Sequence, residues 1–121
     1  MTIQEAVYAA ITTNMAGRVY PNRAPQTVTL PYATYSVISQ IEYPSLAGLG
    51  SLNARTRVQI DVVAATYTEA QTRAATVRAD LHAALGAGAH LDSWQDLFDD
   101  ETRLYRVAMD WILSHALSMG G

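Results

Sequence analysis

Ala54-Arg55-Thr56-Arg57-Val58-Gln59-Ile60-Asp61-Val62-Val63-Ala64-Ala65 is the stretch that decides the fold. Val58, Ile60, Val62 and Ala64 alternate with Arg55, Arg57, Gln59 and Asp61. A period of two puts one set on each side of a strand, so this segment has an apolar face and a wet one. Strands of that kind belong to an antiparallel sheet covered on one side.

Upstream lies a second strand, about Tyr32 to Tyr43. Its alternation assigns Tyr35, Val37, Ile41 and Tyr43 to one face and Thr34, Ser36 and Gln40 to the other. The connection, 44–53, is rich in Gly, Ser and Pro and carries Leu46, Leu49 and Leu52. Three leucines in such a loop are expected either to fold back in part onto the domain or to gain order and burial against a neighbouring subunit or the tube below it. Before the strand, Pro21, Pro25 and Pro31 exclude a helix, so 18–31 reads as a loop. The chain opens on a helix with Thr2 and Glu5 at capping-box spacing. Ile3, Val7, Ala10, Ile11 and Met15 form its apolar stripe, and Gly17 is expected to stop it.

Downstream, Thr68 with Gln71 is expected to cap a second helix. Ala70, Ala74, Val77, Leu81, Ala84 and Leu85 make its stripe, and Gly86 and Gly88 end it. Leu91, Trp94, Leu97 and Phe98 mark a weaker strand over 89–98. After the polar turn 99–102 comes a last strand, 103–114, with Tyr105, Val107, Met109, Trp111 and Leu113 inward. Residues 114–121 read as a flexible tail of a single domain, 1–121. The predicted fold class is α+β, a four-stranded mainly antiparallel sheet with two helices packed on one face, in the order α-β-β-α-β-β. Ile38, Val63 and Ile112 fall on the other face among the polar residues, and clustered there they predict a partner surface. Arg55 and Arg57 share that face. They are expected to meet carboxylates across subunits, with Asp61, Asp110 or the 99–101 turn as partners.

The composition narrows the functional classes. The chain has 121 residues, 50% of them apolar and 16% charged, which suits a globular domain. No cysteine is present, so disulfide and thiolate chemistry are excluded. Every one of the 8 basic residues is Arg, and the net charge is -3. A weakly acidic chain without a basic cluster predicts no specific nucleic-acid binding. The apolar runs are too short to span a bilayer. The start, Met1-Thr2-Ile3-Gln4-Glu5, lacks the basic and apolar regions of a signal peptide, which predicts a cytoplasmic site of synthesis.

Candidate chemistry is sparse. His82, His90 and His115 stand at no ligand spacing, so no metal is expected. Gly48-Leu49-Gly50-Ser51-Leu52-Asn53 mimics a dinucleotide loop, but the third glycine is Asn53 and a strand follows where a helix should begin. Asp92, Asp96, Asp99, Asp100 and Glu101 match no calcium loop. No nucleophile and base pair up. The expectation is no cofactor and no catalysis.

Three segments carry a resemblance. They are Gly17-Arg18-Val19-Tyr20-Pro21-Asn22-Arg23-Ala24-Pro25-Gln26 with Leu30 to Tyr35; Arg57 to Val62 with Thr66-Tyr67-Thr68-Glu69-Ala70; and Asp99-Asp100-Glu101-Thr102-Arg103-Leu104-Tyr105 on to Trp111. In this order and spacing the chain resembles the tail-completion, or tail-terminator, proteins of long-tailed phages and prophages. The resemblance implies a structural protein of the virion tail at the head-tail junction, assembled in the host cytoplasm. It implies a homo-oligomeric ring, usually of six, that caps the tail tube protein and offers a face to the head connector or head-closure protein. It implies structural roles for Pro21, Pro25 and Pro31 in the loop, and for Tyr32 and Tyr35 in anchoring it. The chain departs from the pattern after Trp111, where Ser114 to Gly121 runs on. Two other readings stand beside it: a head-closure or connector ring, and a small α+β ligand-binding domain or enzyme with a pocket between sheet and helices. An extended flat interface favours the ring, and a deep pocket with convergent polar groups favours the enzyme.

Overall fold

Helix α1, Ile3–Ile11, is set by its first turn in the computed structural model, which describes residues 2–44 and 52–116. Thr2 Oγ1 accepts the Glu5 N–H at 3.1 Å, and Glu5 Oε1 accepts the Thr2 N–H at 3.2 Å, so the expected capping box is formed. Ile3, Val7 and Ile11 are buried, as is Met15 in the short 3-10 turn Thr13–Met15 that extends the helix. The left-handed stop comes at Ala16, φ 54, one residue before the expected Gly17, which also has positive φ. The Gly17 N–H donates to Thr12 O at 2.9 Å, so the turn closes on backbone bonds.

Five strands follow where four are expected. Strand β1, Val19–Pro21, lies inside the segment read as a loop. It runs parallel to β2, Tyr32–Pro44, with Val19 opposite Ala33 and Pro21 opposite Tyr35. Three residues ending in proline carry no visible alternation, and proline is tolerated because β1 is an edge. The loop after it is tied down by the Asn22 N–H to Tyr35 O at 2.8 Å and by Tyr20 standing edge-on to Tyr32.

Strand β3, Leu52–Ala64, is antiparallel to β2 and to β5, Leu104–Ala116. Strand β4, Ala89–Asp99, is antiparallel to β5. The sheet order is β1-β2-β3-β5-β4. Strand β5 continues past Ser114 to Ala116, so the first residues of the expected tail are strand, and 117–121 lie outside the described residues.

Helix α2, Tyr67–Leu85, starts earlier than expected. Its cap is Thr66, whose Oγ1 accepts the Glu69 N–H at 3.2 Å, and Thr68 lies within the first turn. Ala70, Ala74, Val77 and Leu81 are buried, Leu85 is half-buried, and Ala84 is exposed. The stripe thins after Leu81: Leu85 still packs against the core, and Ala84 does not. Both helices cover one face. Ile3, Val7, Ile11, Ala74, Val77 and Leu81 pack with Val58, Ile60, Val62, Val107, Met109, Trp111 and Leu113 in one core. Asn14 joins the helices: its Nδ2 donates to Asp80 at 2.9 Å, and its carbonyl accepts from Arg73 at 2.8 Å.

Two bulges set which faces the side chains of β2 and β4 take, and the one in β2 reverses an expectation. In β2 the pairing slips between Val37 and Ser39. Val37 stands opposite the core residue Val58, but Ile41 stands opposite Arg55 and Tyr43 opposite Asn53. Ile41 and Tyr43 thus leave the helix-side face to which the alternation assigned them, since one extra residue inverts every side chain beyond it. In β4 the slip lies between Leu91 and Ser93. It brings Leu91 and Trp94 onto the same face, opposite Trp111 and Met109, and turns Leu97 outward opposite Arg106.

Candidate assembly surface

The face of the sheet away from the helices is polar and internally paired. Arg57 Nη1 lies 3.0 Å from Asp110 Oδ2 and 3.2 Å from Asp92 Oδ2. The hydrogen bond to Asp92, and then the charge of Asp110, hold this guanidinium still more firmly protonated than usual. Arg106 approaches Asp61 at 3.8 Å, and Gln59 donates to the same carboxylate group at 3.1 Å. Arg57 thus has Asp110, one of the carboxylates expected across subunits, as a partner within its own chain. Arg55 makes no ion pair among the described residues and lies over the Tyr43 ring at 5.7 Å.

The three apolar residues assigned to this face do not form one cluster. Ile38 is the extra residue of the β2 bulge and is 54% exposed. Ile112 is half-buried and pairs with Arg57, so it lies near Ile38 across that strand. Val63 is only 2% exposed. It stands six residues up β3 from Arg57, about 20 Å away, between Tyr32 on one strand and Arg106 on the other. Its neighbours cover it, and Tyr32, Leu104 and Arg106 line a small cleft at that end. Val63 is thus a site of burial within the subunit and not an exposed contact. Leu46 and Leu49 lie outside the described residues, and Leu52 opens β3.

What the alternation did not mark is the pair of sheet edges. Strand β1 covers β2 only at Ala33 to Tyr35, so Ser36 to Pro44 pairs on one side alone among the described residues. Among the described residues, strand β4 pairs with β5 alone. Val37, Ile38, Ile41, Leu97 and Phe98 are large, apolar and exposed, and all five lie on these two strands. A run of nonpolar residues on a strand already read as an edge would have been the sequence signal.

Clefts among the described residues are surface hollows. One is lined by Tyr67, Gln71, Asp96, Phe98 and Tyr105, another by Gln59, Ser93, Gln95 and Asp110, and a wider and more open one of about 430 Å³ by Leu97, Phe98, Asp99, Asp100, Glu101 and Arg106. In the first, Asp96 already accepts from Gln71 and Trp94, so its carboxylate serves the fold. Asp99 and Glu5 are held below the usual carboxylate range by backbone N–H groups, at the 99–102 turn and at the helix cap. Both shifts come from local backbone bonds: Glu5 caps a helix, and Asp99, which also lines the cleft beside Val63, closes a turn. Buried polar contacts are few: Thr56 Oγ1 lies 2.7 Å from His115 Nε2 and 3.3 Å from Gln40 Oε1. Among the described residues no group of three His, Asp or Glu could hold a metal ion, and no helix is long and apolar enough to cross a membrane.

The family model described as "Tail completion protein gp17" matches residues 5–113. Among solved structures, a chain of one described as "Virion of native gene transfer agent (GTA) particle" is similar, with a TM-score of 0.60 and 16% identity. The match covers 95% of this chain and 95% of that chain. At that identity the likeness establishes a common fold. Comparison with the curated proteins finds no match.

Proposed function

The chain belongs to the tail completion protein family, and from that premise we propose that it is a structural subunit of a phage-type virion tail that closes the tail tube and joins it to the head connector. The observation that carries this reading is the family match, which runs through nearly the whole chain from residue 5 to 113. The shared fold with a chain of a gene transfer agent virion supports it. The working form is a homo-oligomeric ring, most simply of six. Two unlike surfaces on one subunit generate such a ring whenever the rotation closes. Leu46, Leu49, Leu52, Arg55, Ile38 and Ile112 are proposed contacts in it, and the tail tube and head connector are its partners.

The function needs no catalysis. It needs a rigid body, which the helix-covered sheet supplies, and faces that match its neighbours. Electron microscopy of purified tails from particles with and without the protein tests the role. Tails lacking it should carry an open or overlong upper end and fail to join heads. Normal joined particles without the protein would refute the proposal.

A further inference from the structure

The open edge of β2 and the open edge of β4 lie at opposite ends of one sheet, and we propose that they pair with each other between neighbouring copies of this chain. The inference rests on the ring reading and names the surfaces that build the ring.

Four observations carry it. The first is length. The free part of β2, Ser36 to Pro44, has nine residues, and β4 has eleven. Nine residues span about 30 Å of edge that has no ladder partner on that side among the described residues. The second is that protection is only partial. Isolated sheet proteins blunt an edge with lysine, central prolines, bulges or inward charges. Each strand carries one bulge. From Ser36 to Pro44 the one charge is Glu42, no lysine is present, and the one proline is the last residue. On β4 the acids are engaged within their own subunit: Asp92 holds Arg57, Asp96 accepts from Gln71 and Trp94, and Asp99 caps the turn.

The third is the match of faces. Strand β2 presents Val37 on the helix side and Ile41 on the other. Strand β4 presents Phe98 on the helix side and Leu97 on the other. Each edge thus offers a large exposed apolar side chain on either face, with Ile38 of the bulge in addition on β2, and joining the sheets brings like face to like face. The fourth is direction. Going across the sheet, β2 and β5 run one way and β3 and β4 the other. Rotation about an axis near the strand direction keeps that sense, so β4 of one copy meets β2 of the next antiparallel. Because β1 already covers Ala33 to Tyr35, the incoming strand is displaced towards the Pro44 end. The two edges differ, so the contact is head-to-tail and propagates to a ring.

The test uses that asymmetry. Ile41→Lys spoils one edge and Leu97→Lys the other; both sites are exposed, 63% and 46%, so the subunit should fold, as circular dichroism will verify. Each variant alone should be monomeric by sedimentation under conditions where the wild type assembles. An equimolar mixture should form a dimer and nothing larger, since it contains one intact pair of edges. As a second measurement, the double variant Val37→Cys, Phe98→Cys should give an oxidised ladder of linked chains, in a protein with no other cysteine. Rings formed by either lysine variant alone, a mixture that stays monomeric, or the absence of a ladder would overturn the edge pairing and leave the ring reading standing. A wild type that stays monomeric at high concentration and on tail tubes would instead remove the ring reading, and this inference with it.

Discussion

Arg57 and Asp110 meet diagonally across β3 and β5, with Nη1 3.0 Å from Oδ2. Both side chains are about a third exposed, at 36% and 34%, so water screens the pair. Its role is to fix register on the polar face, with Asp92 of the β4 bulge closing the other side. Asp110→Asn should cost roughly 0.5–1 kcal/mol in chemical denaturation, less at high salt. A loss above 3 kcal/mol would show that the pair behaves as a buried one. Ring assembly should persist in this variant, because the charge is spent within the subunit.

Trp111 should dominate stability. It is the largest fully buried side chain, between Leu91 and Val58 in the sheet, with the His82 ring edge-on at 5.2 Å. Its indole N–H has no acceptor among the described residues. Trp111→Ala should therefore cost about 3–5 kcal/mol, enough to unfold a small domain. Trp111→Phe should cost much less, since it removes the unpaired donor along with one ring. Thermal denaturation of the two variants gives the comparison, and equal losses would contradict it.

Gly88 should not accept a side chain. A Cβ there would stand 2.6 Å from the carbonyl oxygen of Ser114, a backbone atom that cannot swing away. Gly88→Ala should destabilise the α2–β4 connection by about 1–3 kcal/mol. Urea titration will read this, and a neutral result would show that β5 gives way at Ser114.

Acid should loosen the 99–103 hairpin before the core. The backbone N–H groups of Glu101 and then Thr102 hold the Asp99 carboxyl below its ordinary value. A depressed folded-state pKa means stability that is present above the unfolded value and is lost as pH falls through the folded one. Amide exchange at Glu101 and Thr102 should therefore quicken at the acid end. In Asp99→Asn that acid dependence should vanish. Persistence of the same profile in the variant would show that another group controls the turn.

The protein should not grip DNA. Arg57 and Arg106 face carboxylates, Arg18 and Arg73 donate to backbone carbonyls, and Arg55, Arg78 and Arg103 lie over aromatic rings. Local contacts thus take up most of the positive charge, and the net charge is -3. A ring of such subunits is acidic and should repel duplex at long range. Gel shift at low salt should show no complex. Micromolar binding that weakens steeply with salt would indicate phosphate contacts and a different function.

The sequence by itself determined the layers. In β3 and β5 the period of two runs unbroken, and Val58, Ile60, Val62, Val107, Met109, Trp111 and Leu113 are buried as that period requires. Strand alternation and helix stripe are local properties, set by backbone geometry within a few residues. The same holds for the cap at Thr2, and for the three separated segments that resemble a tail-completion protein. Tertiary structure decided the rest. No local pattern marks the extra residue at Ile38 or at Asp92, because a bulge exists only in relation to a partner strand. Those two residues decide on which face Ile41, Tyr43 and Leu97 emerge. Val63 follows the outward alternation and is buried all the same, at the end of the sheet where Tyr32, Leu104 and Arg106 gather beside it. Arg57 finds Asp92 and Asp110 at 35 and 53 residues' distance along the chain. Strand β1 is recruited by β2 and by nothing in its own three residues. Which edges stay open, and so where a neighbour can add, depends on pairing between segments distant in sequence, and only the folded sheet fixes it.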